Sequence, residues 1–368
     1  MIVVFPIALA LITFWVHRRL VRATRLPAPW SRVVDAGLIV LWGLASLGIA
    51  TGRELDPAFF RAPAWLGLTW LATVLYLVLG LSVVAVLSLI ARVVGRRSLR
   101  VLRAATGVVA VTAVAVTAYG VVEAHQPQVT HTRIDLATLP AAFDGLRVAL
   151  ITDLHVGPAR GRDFTADVVD RVNAEHPDLV AIGGDLTDGT VAKVADTLEP
   201  LTRLRAPLGV FGVSGNHEYY SDDGGKWLDA WERMGVHTLR NQRVEITRDG
   251  ARIDVAGISD ATAPAPYEPD LDAVGQARGF TLLLAHQPRQ ATAAAEHGVD
   301  LQLSGHTHGG QLWPIRYLVP LQQPSVQGTD RVGNTTLYTS RGAGAWGPPV
   351  RVGATPEIAI LELRRAPP

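Results

Sequence analysis

The side chains of this 368-residue chain that could bind metal ions are concentrated in five short motifs, all in its C-terminal two thirds. In chain order the motifs are Asp153-Leu154-His155, Gly184-Asp185-Leu186-Thr187-Asp188, Gly215-Asn216-His217-Glu218, the isolated His286, and Gly305-His306-Thr307-His308. Together they supply carboxylate, imidazole and amide groups, which are ligands for hard and borderline divalent cations. The chain has no cysteine, so a thiolate ligand and a cysteine nucleophile are both excluded. The motifs therefore predict a centre for divalent metal ions.

Each motif follows an apolar run typical of a buried strand, and the segments between several of these runs have helical periodicity. The runs that precede motifs are 146–152, 179–183, 209–213, 280–285 and 301–304. Helices are predicted near 163–175, 191–204 and 226–234, and further strands at 128–136, 252–258, 336–339 and 358–363. Alternating strands and helices followed by closely spaced strands indicate an α/β domain with two sheets over 123–368. In such folds, ligands gather beyond the carboxyl ends of strands.

The residue types within the motifs suggest different roles. The carboxylate of Asp185 has two oxygens and is suited to bridging two cations. His217 is adjacent to Asn216 and could lie near the metals without binding them, as a group that transfers a proton to a leaving oxygen. We interpret Asp188 as a hydrogen-bond acceptor near the site or as a turn residue, rather than as a metal ligand. Taken alone, His286 is more typical of a structural histidine than of a ligand.

The ordered set resembles the Asp-x-His, Gly-Asp-x-x-Asp, Gly-Asn-His-Glu, His and Gly-His-x-His signature of the calcineurin-like metallophosphoesterase family. The resemblance implies that family's fold, a two-sheet β sandwich flanked by helices. It implies seven ligands for two divalent ions that share Asp185: Asp153, His155, Asp185 and His308 for one, and Asp185, Asn216, His286 and His306 for the other. It further implies that a hydroxide between the metals attacks phosphorus while His217 assists the departing oxygen. Manganese, iron and zinc all suit these ligands, and the complete set argues against an inactive relative.

Two later segments, 308–314 and 340–351, resemble the membrane-anchored bacterial branch of that family, which includes phosphodiesterase-like and lipid-processing members. Within them, Arg341 could grip a substrate phosphate through its bidentate guanidinium or form a salt bridge. Several aromatic side chains could line a wall for a base, sugar or lipid, or could belong to the core. They are Tyr219, Tyr220, Trp227, Trp313 and Trp346.

Residues 1–122 contain four apolar stretches, at about 1–16, 33–51, 64–91 and 101–122. About 20 apolar residues suffice to cross a bilayer, so we predict a bundle of transmembrane helices ahead of the catalytic domain. The first stretch is short for a span. A cleaved signal peptide is the alternative for it, but no positive charge precedes it and no small-residue cleavage site follows. Buried core helices could mimic one such stretch more easily than four.

The distribution of charge predicts the orientation. Residues 1–122 hold twelve arginines against three acidic residues, whereas residues 123–368 hold 30 acidic against 22 basic residues. The arginines cluster in the connections after the first and third stretches, which should be cytoplasmic, so the catalytic domain should be extracytoplasmic. An acidic domain is also unsuited to sequence-independent nucleic-acid binding.

The leading hypothesis is a multi-pass membrane phosphoesterase acting on phosphodiesters or pyrophosphates of the cell envelope, lipid-linked substrates included. A phosphomonoesterase is the main enzymatic alternative, because the same metal ligands serve both reactions. A receptor or scaffold that binds phosphorylated ligands is the non-catalytic alternative. A transporter is disfavoured, since the apolar stretches hold almost no charged residues.

Overall fold

A computed structural model describes residues 4–275 and 279–366 of the chain. The α-helices are α1 Val4–His17, α2 Ala28–Ala50, α3 Pro57–Val93, α4 Leu99–Ala124, α5 Arg162–Ala174, α6 Val191–Val194, α7 Asn216–Ser221, α8 Gly224–Arg233, α9 Leu271–Val274 and α10 Ala291–Glu296. The strands are β1 Gln128–Leu136, β2 Leu146–Ile151, β3 Leu179–Ile182, β4 Val210–Gly212, β5 His237–Thr238, β6 Gln242–Arg248, β7 Ala251–Gly257, β8 Thr281–Leu284, β9 Leu301–Ser304, β10 Gly328–Val332, β11 Thr335–Thr339 and β12 Glu357–Arg365. Small parts of the predicted stretch 1–16 and of the predicted domain 123–368 lie outside the described residues, namely 1–3, 276–278, 367 and 368.

Four N-terminal helices are long and apolar enough to cross a membrane, and α1 reaches this length by continuing through a π-helical turn at Arg18–Arg22. The helices extend beyond the predicted stretches. α3 begins at Pro57 rather than at residue 64, because the Asp56 carboxylate accepts the N–H of Ala58 and proline suits the first helical position. Such caps are polar, so hydropathy alone does not register them.

The C-terminal domain lies at one end of this helical bundle. At the opposite end, the guanidinium of Arg103 donates to the carbonyl oxygens of Thr24 and Arg25, at 2.7 and 2.8 Å. The arginine-rich connection between α1 and α2 therefore lies beside the one between α3 and α4, and both are remote from the domain. On the domain side, the N–H of Arg351 donates to the carbonyl oxygen of Gly120 near the end of α4, at 2.9 Å.

Two six-stranded sheets form the domain, as predicted for the α/β sandwich. The first has the order β1-β12-β2-β3-β4-β5, and the second has the order β10-β11-β9-β8-β7-β6. Their facing sides share one buried apolar core. Helices α5 and α8 cover the outer face of the first sheet, and α9 and α10 that of the second. The central strands β3, β4, β8 and β9 each lie between two parallel neighbours, which explains the apolar runs at β3 and β8.

The predicted helix over 191–204 has a different form. Only α6 is α-helical, and a 3₁₀ segment, Ala195–Arg203, follows it. Pro200 lies within that segment. Because proline lacks an N–H and clashes with the preceding turn, a regular α-helix cannot run through this position without a break.

Candidate metal centre

The predicted ligands come from both sheets and meet at one edge of the sandwich. Asp153, Asp185 and Asn216 follow β2, β3 and β4, whereas His286 and His306 follow β8 and β9. The strands of each group run parallel within their sheet, so the chain leaves each strand at the same edge. Side chains distant in sequence are thereby placed in one crevice.

The backbone at these positions is unusual. Five candidate ligands adopt a positive φ, namely Asp153 at 57°, His155 at 48°, Asp185 at 53°, His306 at 70° and His308 at 52°. Residues other than glycine rarely adopt this conformation, and it is concentrated at functional sites where the surrounding structure enforces it. The ligand positions therefore have a conformational cost that other parts of the fold must offset.

Two glycines make room for the carboxylates. A Cβ atom at Gly305 would lie 2.2 Å from Oδ2 of Asp153, and one at Gly215 would lie 2.2 Å from Oδ1 of Asp185. Both distances are far below van der Waals contact. Glycine is therefore required at these points of the Gly-His-x-His and Gly-Asn-His-Glu motifs so that loops from different strands can close around the acids.

One group of candidate ligands contains Asp153, His155 and His308. Nε2 of His308 lies 3.3 Å from Oδ1 of Asp153 and 3.1 Å from Nε2 of His155. The three side chains are buried, with donor atoms close enough to bind a single ion. They therefore form one potential metal-binding group.

A second group contains Asp185, His286 and His306, whose donor atoms also lie close enough to share an ion. Oδ2 of Asp185 lies 3.1 Å from Nε2 of His286 and 3.8 Å from Nε2 of His155 in the first group. Nδ1 of His306 lies 2.9 Å from Oδ1 of Asn216. Asp185 is therefore positioned between the two groups, as expected of a bridging carboxylate.

The protonation pattern of the histidines fits bound cations. Nδ1 of His286 is 2.7 Å from the carbonyl oxygen of Gly183 and must donate to it, so in the neutral ring the lone pair is on Nε2. That Nε2 atom is buried, and its contact among the described residues is with Oδ2 of Asp185 at 3.1 Å, which does not have hydrogen-bond geometry. The nearby Nε2 atoms of His155 and His308 also point at each other. Buried nitrogens of this kind need a proton or a cation between them, so the donor set is consistent with divalent metal ions.

Comparison with known proteins bears on this arrangement. A model of the calcineurin-like phosphoesterase family matches residues 146–310, which include every candidate ligand. An uncharacterized metallophosphoesterase of Bacillus subtilis is 30% identical over 251 residues, covering 66% of this chain and 87% of that protein. The chain belongs to the calcineurin-like phosphoesterase family.

Longer relatives are also similar to this family member. A transmembrane protein with a metallophosphoesterase domain from Danio rerio is 37% identical over 262 residues, covering 67% of this chain and 60% of that protein. An uncharacterized metallophosphoesterase of Helicobacter pylori is 39% identical over 245 residues, covering 65% of this chain and 64% of that protein. The chain therefore spans less than two thirds of the length of these two relatives.

Asp188 connects the first group of candidate ligands to His217. Its Oδ1 lies 2.8 Å from Nδ1 of His155 and 2.7 Å from Nδ1 of His217. Burial opposes ionisation of Asp188, but the two imidazoles outweigh that effect and keep the pKa of the carboxyl well below its usual value. A carboxylate that fixes Nδ1 orients Nε2 toward a metal or a substrate. This geometry agrees with the interpretation of Asp188 as an acceptor near the site.

Glu218 is a residue whose role the motif analysis did not assign. Its fully buried carboxylate accepts the N–H groups of Asp185, Leu186 and Gly215, at 3.0, 2.9 and 2.7 Å. Burial and the neighbouring charge of Asp185 raise the pKa of Glu218 to about 7. Its position at the third residue of α7, just after Gly215, is the signal that could have identified it, since glutamate there reaches back to backbone N–H groups.

Two arginines from the later segments have structural contacts. Nη2 of Arg341 lies 2.6 Å from Oε2 of Glu357, so the salt-bridge alternative describes this residue. Arg351 is fully buried and donates to backbone carbonyls, including those of His308 at 2.7 Å and Gly344 at 2.9 Å. Burial lowers the pKa of Arg351 to about 9. Arg351 thereby ties the His308 loop to the loop that follows β11.

The predicted aromatic wall is only partly formed. Tyr220 and Trp346 line a cavity over the metal centre, and their rings lie 5.6 and 6.0 Å from that of His217. Trp227 is fully buried in the core beneath the first sheet. Tyr219 bonds to the hydroxyl of Ser214 at 2.8 Å. Two of the five aromatic side chains therefore have the expected position beside the site.

Proposed function

We propose that this chain is a membrane-anchored phosphoesterase that uses two divalent ions to hydrolyse phosphodiester or pyrophosphate bonds of envelope molecules. The observation that carries the proposal is the convergence of all seven predicted donors with Asp185 between two groups and His217 beside them. A scaffold that merely bound phosphorylated ligands would not need the complete donor set. The hydrolytic function therefore accounts for more of the site than the non-catalytic alternative.

In this proposal the ions are held as the family resemblance assigns them. Asp153, His155, Asp185 and His308 would hold one, and Asp185, Asn216, His286 and His306 the other. When bound, the ions would supply positive charge beside the phosphate and a water of lowered pKa. Manganese, iron and zinc are the candidates, because nitrogen and oxygen donors suit all three.

We assign His217 the role of general acid. Its backbone N–H donates to Oδ1 of Asp185 at 2.8 Å, and its Nδ1 is engaged by Asp188. Nε2 is therefore the ring nitrogen left to serve a substrate, and the side chain lines the cavity. Burial opposes protonation of this imidazole, but the charges of Asp185 and Asp188 outweigh it and raise the pKa of His217. An imidazolium held in this way can protonate a departing oxygen.

The proposal is tested by assaying the full chain in lipid nanodiscs with a nitrophenyl phosphodiester, a nitrophenyl phosphomonoester and a substituted pyrophosphate. We expect chelation to abolish turnover, and manganese, iron or zinc to restore it. The diester or the pyrophosphate should exceed the monoester in kcat/KM. A monoester preference of more than about tenfold, equivalent to 1.4 kcal/mol in the barrier, would favour the phosphomonoesterase alternative. No hydrolysis with any metal would overturn the enzymatic proposal.

We further propose that the catalytic domain is extracytoplasmic. The two arginine-rich connections contact each other at the end of the bundle opposite the domain, which supports a cytoplasmic location for both. A topology reporter inserted after Arg97 should therefore report the cytoplasm, and one fused after Pro368 should report the outside. A C-terminus protected from protease in intact cells would reverse the orientation, and the envelope as the source of substrate would then be wrong.

A further inference from the structure

The cavity over the metal centre extends to the membrane helices. Its volume is about 710 Å³, within the range of small-molecule sites. Its polar end contains Asp185, Asn216, His217, His306 and His308. Its apolar side is formed by helices α1, α2 and α3 through Phe5, Gly48, Ile49 and Leu68, and by a loop of the domain through Ile315, Leu318 and Val319. One cavity is thus lined both by the candidate metal ligands and by side chains of the predicted membrane-spanning helices.

That loop, residues 312–321, is unusually apolar for the surface of a domain, and we call it the apolar loop. It has the sequence Leu-Trp-Pro-Ile-Arg-Tyr-Leu-Val-Pro-Leu, in which Arg316 is the single charge. Tyr317, Leu318 and Leu321 are 68, 58 and 80% exposed, and Trp313 is 52% exposed. A soluble face would not retain so many neighbouring apolar side chains without a partner.

The base of the apolar loop is attached to the bundle at membrane depth. Leu312 and Val350 pack with Ala72 of α3 in one buried cluster. Ala72 lies eight residues inside the apolar stretch 64–91, about 12 Å along the helix axis. The N–H of Trp313 donates to the carbonyl oxygen of Val352 at 2.9 Å, so the exposed part of the loop is tied to this anchored segment. The domain therefore lies alongside the apolar spans as well as at their end.

Hydrocarbon is the partner that best fits this surface. Side chains of α3 such as Phe59, Leu66 and Leu79 are exposed in the same way as those of the apolar loop, so both surfaces need an apolar environment. Tryptophan and tyrosine beside leucine, with one arginine, is the composition of segments that lie in the membrane interface. A protein partner would have to be inserted in the same layer as the spans.

The cavity is also lined by a positively charged side chain. Arg53, in the connection between α2 and α3, lines it and is only partly buried. No ion pair to Arg53 is formed within residues 4–275 and 279–366. An arginine available in a cavity that ends at a metal centre suits an anionic headgroup with a charge beyond the scissile phosphate.

We propose that the substrate is a phosphoester lipid drawn laterally from the leaflet on the side of the catalytic domain. Its headgroup occupies the metal end of the cavity, and its hydrocarbon chain leaves between α1–α3 and the apolar loop, which is itself embedded in that leaflet. This inference rests on the proposed phosphoesterase function. In the reaction a water oxygen forms a new bond to phosphorus and gives up a proton, and the bond from phosphorus to the leaving oxygen breaks. The leaving oxygen departs as an anion, or as an alcohol after it gains a proton from His217.

The activity test compares two substrates that differ only in chain length, hexadecyl 4-nitrophenyl phosphate and methyl 4-nitrophenyl phosphate. The full chain is assayed in phosphatidylcholine nanodiscs with manganese. Leu318→Glu places a carboxylate on the exit path of the chain, and should lower kcat/KM for the hexadecyl ester at least about tenfold, as expected from the loss of roughly two buried methylene contacts. The readout is the ratio of kcat/KM for the hexadecyl ester to that for the methyl ester, so an effect of the new charge on both esters alike cancels. Leu318→Phe, which remains apolar, should retain the hexadecyl activity.

A second measurement does not depend on catalysis. Because the chain has no cysteine, a single cysteine can carry a bimane label at Leu321 or, as the control, at Arg205. Arg205 is exposed in the segment before β4, at the edge of the first sheet opposite the metal centre. Nitroxide-labelled lipid should quench the label at Leu321→Cys strongly and that at Arg205→Cys weakly. Equal quenching would show that the apolar loop is not embedded.

The outcomes separate the two proposals. Loss of both ester activities in Leu318→Glu by the same factor, or loss of neither, would overturn the lipid route while leaving phosphoesterase function intact. Failure of wild type to hydrolyse either ester with any metal would count against the phosphoesterase function, and the quenching experiment would still decide whether the loop is embedded. A preference of wild type for the hexadecyl ester together with selective quenching at Leu321→Cys would support the lipid route.

Discussion

Asp185→Asn should abolish phosphoester hydrolysis and lower the bound metal in parallel. Asparagine keeps the size of the side chain and one acceptor for the N–H of His217, but removes the negative charge between the two groups of donors. Loss of a hydrogen-bond partner of a metal ligand typically costs about 10–100-fold in metal affinity or activity. Loss of a shared ligand should exceed that range, so we expect a fall of more than about 100-fold. Turnover and metal content, measured by elemental analysis, are compared on one preparation.

Asp249→Asn is the matched control for this experiment. Asp249 lies exposed in the turn between β6 and β7 and has a φ of 50°, close to the 53° of Asp185, so both replacements meet the same backbone requirement. The control should keep wild-type metal content and turnover. If Asp185→Asn also kept both, the assignment of Asp185 as the shared ligand would be wrong.

The convergence of the motifs was predictable because each motif follows an apolar run that is typical of a buried strand. Strands buried between parallel neighbours must be apolar, so the first polar residues after them mark the strand ends. Edge strands β6 and β10 were not predicted, since one face of each is exposed and their sequences alternate with polar residues. The sequence also did not predict which ligands of the two sheets would meet. Nothing in the apolar run before His286 specifies that its imidazole contacts Asp185.

The contacts that support the candidate ligands were only partly predictable, since an acceptor role for Asp188 was inferred but its partners were not. Asp188 serves His155 and His217 together, and this depends on loops that are 33 and 29 residues apart in the chain. The bond from the N–H of Gly215 to Glu218 is a local capping contact that the motif could indicate, but the bonds from Asp185 and Leu186 come from a different loop and a motif does not reveal them. In each case the deciding interaction is between an acid and groups that are remote in sequence.

Contact between the spans and the domain is a further feature that composition could not predict. Gly120 in α4 approaches the domain so closely that a Cβ atom there would lie 2.5 Å from Cγ1 of Val350. Arg160 is buried and donates to the carbonyl oxygens of Ala345 and Ala124, at 3.1 and 3.4 Å. Hydropathy identified the helices, but the packing that aligns them with the metal centre depends on small residues and on one buried arginine.

His217→Ala should keep both metals yet lose most turnover on substrates with poor leaving groups. General-acid assistance is typically worth about 10²–10⁴-fold when the departing oxygen has a high pKa. A nitrophenolate needs little protonation, so its release should slow by about tenfold or less. The experiment compares an alkyl with a nitrophenyl phosphodiester and measures metal on the same sample. His131→Ala is the control. His131 is an exposed histidine on the edge strand β1, and its side chain contacts Glu175 rather than any candidate ligand.

The position of His217 makes three results distinguishable. A ring nitrogen of His217 lies close enough to a ring nitrogen of His155 and a carboxylate oxygen of Asp185 to share an ion with them, so the structure also permits a ligand role for His217. A parallel loss of metal and activity would identify a ligand. Equal losses on both esters with metal retained would indicate that His217 positions the phosphate. A larger loss on the alkyl ester with metal retained is expected for the acid, since Asp188 already holds Nδ1 and only Nε2 can reach the leaving oxygen.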